Sequence, residues 1–292
     1  MGYQNVLYTK DGKIATLTLN RPEKLNAIND GLRADLEAAL AEAEFDNSVS
    51  LVIIKGAGRA FCAGYDISPS GPGLADAVGG RAGAERGAQQ RSIAVDRENL
   101  IRSAERWMHM WRIPKPLIAQ VHGYCLAGGN EITGCCDIIY AAEDAVFGQP
   151  QGRSLGIAIT TGLWHMRMGP MHTKELLFTG DSISGKEAER IGMITRAYPA
   201  ERLEQEVRTI AERMALTPVE FLSVEKAAVN RYYELMNLQL GVISGAELDA
   251  FYHFSPPAGE FQKISKERGL KAALEWRDSK FGDARAAKKP VR

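Results

Sequence analysis

Three short apolar runs constrain this chain before anything else does. Residues 50–55, 117–121 and 137–142 are brief and rich in Val, Ile, Leu and Ala. Their apolar residues are consecutive rather than alternating, the pattern of strands covered on both faces. Segments of helical spacing lie between and after them. One carries Leu32, Leu36, Leu40 and Ala43 behind a cap at Asn29 or Asp30. Another carries Ile101, Ala104, Met108 and Trp111 and ends at Pro114 and Pro116. Strands alternating with helices predict an α/β core.

The flanks fit that core. Residues 5–9 and 14–20 surround the turn Lys10-Asp-Gly-Lys13 and read as a β-hairpin. Residues 145–147 and 193–198 are further short strands. Ser184-Gly-Lys-Glu187 is a capping box. Residues 201–216 predict a helix, and Thr217-Pro218 a cap followed by proline at the first helical position. Helical segments continue to about residue 279. Residues 68–90, rich in Gly, Ala and Pro with Arg81 and Arg86, carry no periodicity and read as a loop over the molecule, a candidate lid.

Composition narrows the function. The chain has 292 residues, and its 36 Lys and Arg balance 36 Asp and Glu. Zero net charge supplies no long-range pull toward nucleic acid or an anionic membrane, so neither is expected as a partner. No apolar run approaches the roughly 20 residues of a membrane span. The start of the chain lacks the basic and apolar regions of a signal peptide. Cys62, Cys125, Cys135 and Cys136 have no metal-ligand spacing and predict buried free thiols in a reducing, cytoplasmic setting. No metal site is expected.

Three familiar patterns do not hold. Gly180 to Lys186 has phosphate-loop spacing, but Glu187 stands where Ser or Thr would hold magnesium. Gly56-Ala-Gly58 begins like a dinucleotide fingerprint, but Phe61 replaces its third glycine. Gly152-Arg-Ser154-Leu-Gly156 matches a serine-hydrolase elbow, with His165, His172 and His253 downstream, yet neither flank has the required strand or helix.

Two other segments serve one chemical purpose. Gly58-Arg-Ala-Phe-Cys-Ala-Gly-Tyr-Asp-Ile67 follows the first apolar run, and Gly64 lets backbone approach a ligand closely. His122-Gly-Tyr-Cys-Leu-Ala-Gly-Gly-Asn-Glu131 follows the second run and opens a helix near Gly128. Helix starts present unpaired N–H groups. Two such amides would stabilise the oxyanion of a carbonyl compound. Glu131, three residues past Gly128, would serve as general acid or base. The same residues also read as tight strand–helix packing with an acid at a helix start.

In order along the chain, Asn20-Arg-Pro-Glu-Lys-Leu-Asn-Ala27, the two loops, Cys136-Asp-Ile138, Phe147-Gly-Gln-Pro150 and Leu177-Phe-Thr-Gly180 resemble the enoyl-CoA hydratase/isomerase (crotonase) superfamily. The resemblance runs from about residue 3 to 283. It implies a crotonase-like spiral of ββα units over residues 1–200 and a helical C-terminal trimerisation region over 201–283, followed by a disordered basic tail, 284–292. It implies an acyl-CoA substrate, with coenzyme A entering as part of the thioester and no permanently bound cofactor. Its oxyanion amides map onto Tyr65 and Gly128 and its first catalytic glutamate onto Glu131. The CoA contacts map onto Arg21, Lys24, Leu25, Ala63, Tyr65, Asp66 and Ile67. A homotrimer, or a homohexamer built as a dimer of trimers, follows from the resemblance. So does a reach of residues 280–281 toward a neighbouring subunit.

One position departs from the pattern. Gln151 stands where hydratases of the family carry their second catalytic glutamate. An amide orients water but neither takes nor gives a proton at neutral pH. The leading expectation is hydration of a 2-enoyl-CoA. Isomerisation, thioester or carbon–carbon hydrolysis, decarboxylation, or acyl-CoA binding without catalysis stay open. Arg153 offers a fixed cation for an acyl carboxylate or a structural salt bridge. Trp111, Arg153 and Gly156 are candidate acyl-pocket residues, and Arg153 or His165 is a candidate to complete the site in place of the missing glutamate.

Overall fold

The computed structural model describes residues 2–67, 92–157 and 161–281. The candidate lid at 68–90 and the tail at 284–292 lie outside the described residues.

The hairpin forms as β1 (Val6–Asp11) and β2 (Ile14–Leu19), antiparallel with Val6 opposite Leu19. Asn29 caps α1 (Asp30–Phe45) by accepting from the Leu32 N–H at 2.8 Å. Chain order then gives β3 (Leu51–Gly56), β4 (Ala60–Cys62), α2 (Ile93–Arg112), β5 (Leu117–Val121), β6 (Tyr124–Leu126) and α3 (Gly128–Gly134). After these come β7 (Ile138–Ala142), β8 (Val146–Gly148) and the 3-10 turn Pro150–Arg153. α4 (Thr161–Thr179) is broken at Gly169-Pro170, where Gly169 leaves helical geometry. β9 (Ser182–Ser184), α5 (Gly185–Arg190) and β10 (Arg196–Tyr198) precede five helices: α6 (Leu203–Met214), α7 (Val219–Leu235), α8 (Leu238–His253), α9 (Pro256–Arg268) and α10 (Leu270–Asp278).

Among the described residues the strands form two sheets. One runs β1-β2-β3-β5-β7-β10 and the other β4-β6-β8-β9. The apolar runs β3, β5 and β7 are parallel neighbours at the centre of the first sheet. Each leads into a three-residue strand of the second, where β4, β6 and β8 are again parallel. The chain therefore winds in similar successive turns, each placing one strand in each sheet. The loops leaving the parallel strands β4, β6 and β8 all contribute to the lining of one cavity. Leu17, Leu19, Ile54, Phe61, Leu100, Leu117 and Phe147 sit fully buried in one continuous core.

Two local expectations change. Pro218 is itself the cap residue of α7, and no side chain closes that end. Proline needs no N–H partner, so the turn is stable without Thr217. In the capping box Ser184 accepts from the Glu187 N–H at 3.1 Å, while the Glu187 carboxylate engages Arg190. The segment 180–186 is thus β9 and a helix start, not a phosphate loop.

Candidate active site

The first wall of the site is backbone held by an asparagine. Asn26 is fully buried, and its Nδ2 donates to the carbonyls of Ala57 (2.9 Å) and Ala60 (2.8 Å). That fixes the loop before β4. Beyond β4, the Ile28 N–H donates to Gly64 O at 2.7 Å and the Asp66 N–H to Ile28 O at 2.9 Å. Extended chain alternates its hydrogen-bonding directions. The Tyr65 N–H, between those two partners, therefore points the other way. Gly64 is required here, with φ +101°, because a Cβ would sit 2.6 Å from the Ala127 Cβ.

The second wall is the start of α3. Ala127 holds φ 50° and ψ −119°, a conformation a non-glycine residue adopts only under constraint. The constraint is visible. The Ala127 N–H donates to Gly148 O at 3.0 Å, and Asn130 Nδ2 donates to the carbonyls of Cys125 (3.0 Å) and Gly148 (2.8 Å). At the other end of α3, Arg167 donates to the carbonyls of Thr133, Gly134 and Cys136. The Gly128 N–H is a first-turn amide with no carbonyl behind it in the helix. Gly128 cannot carry a side chain, since a Cβ would lie 2.8 Å from Ile28 Cδ1 and 3.0 Å from the Tyr65 ring. The two loops thus touch, and both amides belong to the contact.

Glu131 lies in the first turn of α3 and is 2 % exposed. Its carboxylate accepts a hydrogen bond from the Tyr65 hydroxyl. That hydroxyl in turn accepts from Trp107 Nε1 at 3.0 Å. Burial, and then the Glu131 carboxylate beside it, push the Tyr65 phenol well above its usual range. Tyr65 therefore remains a neutral donor, and the chain Trp107–Tyr65–Glu131 fixes the carboxylate from α2.

Facing Glu131 is the turn after β8. Gln151 donates from Nε2 to Gln149 Oε1. Gln151 Oε1, Gln149 Nε2 and Ser154 Oγ are buried without a hydrogen-bonding partner among the described residues. Ser154 engages no base, so the serine-hydrolase reading ends here. Arg153 turns away from the cavity. It donates to Thr179 O at 2.9 Å, pairs with Asp181 and Asp278 at 3.1 Å each, and lies over the Phe281 ring at 4.6 Å. It is the salt bridge of the two readings and not a substrate cation.

These walls enclose a cavity of about 440 Å³. Of the expected residues, Lys24, Leu25, Ala63, Tyr65, Asp66, Ile67, Glu131, Gln151 and Gly156 line it. Arg21 is instead a brace, donating to Ala27 O at 2.5 Å and pairing with Asp66 at 3.0 Å. Trp111 is packed edge-on against Tyr233 away from the lining, and His165 is exposed. Phe281 covers Arg153 of its own chain. Leu270, Leu274 and Arg277 of α10 close the cavity from a side that sequence reasoning missed, as do Asp249 and His253 of α8. Asn26 and Asn130 stood inside recognised motifs, but only their carbonyl partners reveal what they hold.

Comparison with known proteins bears on this geometry. A family described as enoyl-CoA hydratase/isomerase matches residues 9–284. A crotonyl-CoA hydratase of Syntrophomonas wolfei is 32% identical over 287 residues, spanning 96% of this chain and 99% of that protein. The crystal structure of an enoyl-CoA hydratase from Mycobacterium smegmatis superposes with a TM-score of 0.87 at 28% identity, covering 98% of each chain. An enoyl-CoA hydratase/isomerase from Xanthobacter autotrophicus Py2 gives 0.82 at 32% identity, over 96% of this chain and 99% of that one.

Proposed function

The chain belongs to the enoyl-CoA hydratase/isomerase family, and from that premise we propose that it adds water across the double bond of a 2-enoyl-CoA with Glu131 as its one proton-transferring carboxylate. The observation that carries this reading is a buried glutamate in the first turn of α3, three residues beyond Gly128, where the loops carrying the Tyr65 and Gly128 amides meet. Those amides would receive the thioester oxygen as it becomes an enolate, an effect worth about 10²–10³-fold per donor. Lys24 and the backbone at 63–67 would meet the CoA portion, which arrives with the substrate.

Gln151 has a defined part in this scheme. Its Oε1 is a buried acceptor without a hydrogen-bonding partner among the described residues, and Gln151 as a residue lines the cavity. A water there would donate one hydrogen to Gln151 and the other to Glu131. Glu131 takes the second proton as the oxygen attacks C3, then returns it to C2 of the enolate. The atoms of one water are added, and Glu131 ends as it began. The test is loss of enoyl-thioester absorbance with crotonyl-CoA. Wild type should turn over and Glu131→Gln should not; equal activity in the two ends the proposal.

The side chain at 151, which does not titrate, also favours a second reading. Moving a double bond requires one base that carries a proton between two carbons, which Glu131 alone supplies. A 3-enoyl-CoA assayed beside crotonyl-CoA separates the two, since an isomerase consumes only the former.

The assembly proposed is a trimer, or a dimer of trimers. Phe221, Val224, Tyr232, Leu235, Leu240 and Phe251 expose large apolar side chains on α7 and α8, and such a face is characteristic of subunit contact. Light scattering on the eluting protein gives the stoichiometry. All four cysteines are buried free thiols, which supports a reducing location, proposed as the cytoplasm. Among the described residues no helix is long and apolar enough to cross a membrane.

A further inference from the structure

The turn after β8 holds a second glutamine that the proposed reaction leaves without a part. Gln149 is 1 % exposed. Its Oε1 accepts from Gln151 Nε2, while its own Nε2 is buried without a hydrogen-bonding partner among the described residues. Burying an amide N–H group unpaired is costly, and an apolar side chain of similar size would avoid that cost. Packing alone therefore does not account for a glutamine at 149. Its one side-chain partner, Gln151, does.

The main chain here is fixed from several sides. Gly148 O accepts from the Ala127 N–H at 3.0 Å and from Asn130 Nδ2 at 2.8 Å, which ties the turn to the start of α3, where Glu131 lies. On its other side β8 pairs with β9, with Gly148 opposite Ser182. Pro150 holds its own φ. The Gly152 N–H donates back to Gln149 O at 3.1 Å. The N–H groups of Ser154, Leu155 and Gly156 all donate to Gln151 O, at 3.1, 2.7 and 3.1 Å.

What the main chain leaves open is the Gln151 side chain. The outermost torsion of a glutamine is broad and roughly two-fold, and a half-turn about it exchanges oxygen for nitrogen. One setting leaves an acceptor over, the other a donor. With Gln149 Oε1 taking Nε2, the atom left over is Gln151 Oε1. The difference is chemical. A water that gives one proton to Glu131 needs an acceptor for its second hydrogen. A donor in that place would occupy the lone pair that forms the new carbon–oxygen bond.

We propose that Gln149 is a positioning residue for hydration: its side-chain oxygen holds Gln151 Nε2 and so makes residue 151 an acceptor toward the attacking water. The inference rests on the hydratase reading above. It makes positions 149 and 151 a matched pair, in which the best residue at 149 depends on the residue at 151. A glutamate introduced at 151 has no N–H to hold, and Gln149 would then turn its Nε2 toward it as a donor.

A double-mutant cycle tests this dependence. Gln149→Leu and Gln149→Glu are made alone and together with Gln151→Glu. Folding is followed by circular dichroism, hydration of crotonyl-CoA gives kcat and KM, and calorimetry gives the affinity for butyryl-CoA. Alone, Gln149→Leu should lower kcat about tenfold, the worth of one hydrogen bond, while KM and butyryl-CoA affinity stay near wild type. Gln149→Glu keeps an oxygen in that place in either protonation state and should recover most of the loss. Combined with Gln151→Glu the order should reverse. Gln149→Glu then sets two carboxyl groups against each other and should fall at least about tenfold below Gln149→Leu.

A residue that only fills space has no reason to change its ranking of Leu and Glu with the residue at 151. The same ranking in both backgrounds, or a kcat for Gln149→Leu equal to wild type, overturns the proposal. So does a loss in Gln149→Glu as large as that in Gln149→Leu, which would mean that the Gln149 nitrogen and not its oxygen makes the bond. Should Gln149→Leu fail to fold, Gln149→Met carries the same comparison. Wild type that binds butyryl-CoA but hydrates nothing would sink the hydratase reading and this role with it. Hydration without the reversal would sink the role of Gln149 alone.

Discussion

The two ends of the cavity are built from different materials. The end proposed for the thioester is backbone: two amides, two glycines and a strained Ala127, set by Asn26 and Asn130. The far end is side chain: Asp249, His253 and Asp96, drawn from two helices. Amides fixed by a fold keep their charge distribution at every pH and cannot swing away, which suits a step common to all substrates of a reaction class. Ionisable side chains change charge with pH, so what this end contributes depends on the solution in a way that the amides' contribution does not.

This contrast can be broken by experiment, most severely at the thioester end. Glu131→Gln should lower kcat by about 10²–10⁴-fold with the protein still folded, since general acid–base help is of that size. A much smaller loss would mean another group carries the proton. Gly64→Ala forces a Cβ against Ala127 and should cost about 10²-fold in kcat through displaced amides. Unchanged kinetics there would separate the amides from the chemistry.

At the far end the expected signature is pH-dependent stability. A carboxyl raised from 3.8 to about 6 binds its proton more tightly in the folded chain. Its contribution is fully present below pH 4 and is lost as pH rises through 6. Asp249→Asn has no such loss, so its Tm should gain on wild type between pH 4 and 7, by up to about 3 kcal/mol in equivalent stability. A constant Tm difference across that range would place the titration elsewhere. The smallest effect sharpens the boundary between the two ends. Tyr65→Phe keeps the Tyr65 amide but removes the hydroxyl on Glu131, and should reduce kcat by roughly tenfold, the worth of one hydrogen bond to a charged group.

The same contrast decides what was readable beforehand. Gly64, Gly128 and Glu131 lie in two contiguous stretches, because a backbone site is written where the backbone is. Asp96 and His253 are 157 positions apart, and no spacing rule joins residues brought together only by the packing of α8 on α2. The fold divides similarly. The hairpin and the strands β3, β5 and β7 are long enough for their patterns to speak. β4, β6 and β8 have three residues each, too few for a period; of these only β8 reads as a strand in the sequence, so the second sheet and the side on which its loops gather are not legible there. For Arg153 the sequence offers both an acyl carboxylate and a structural salt bridge, and only the partners Asp181 and Asp278 decide between them.

A site whose anion-holding groups are peptide amides has nothing there for a reagent to modify. Oxidants and alkylating agents find no target among amides, and the four thiols are interior, with burial holding Cys62 and Cys136 as thiols with values pushed up to about 12. Chemical wear on this protein should therefore fall on its surface methionines long before it reaches the catalytic centre.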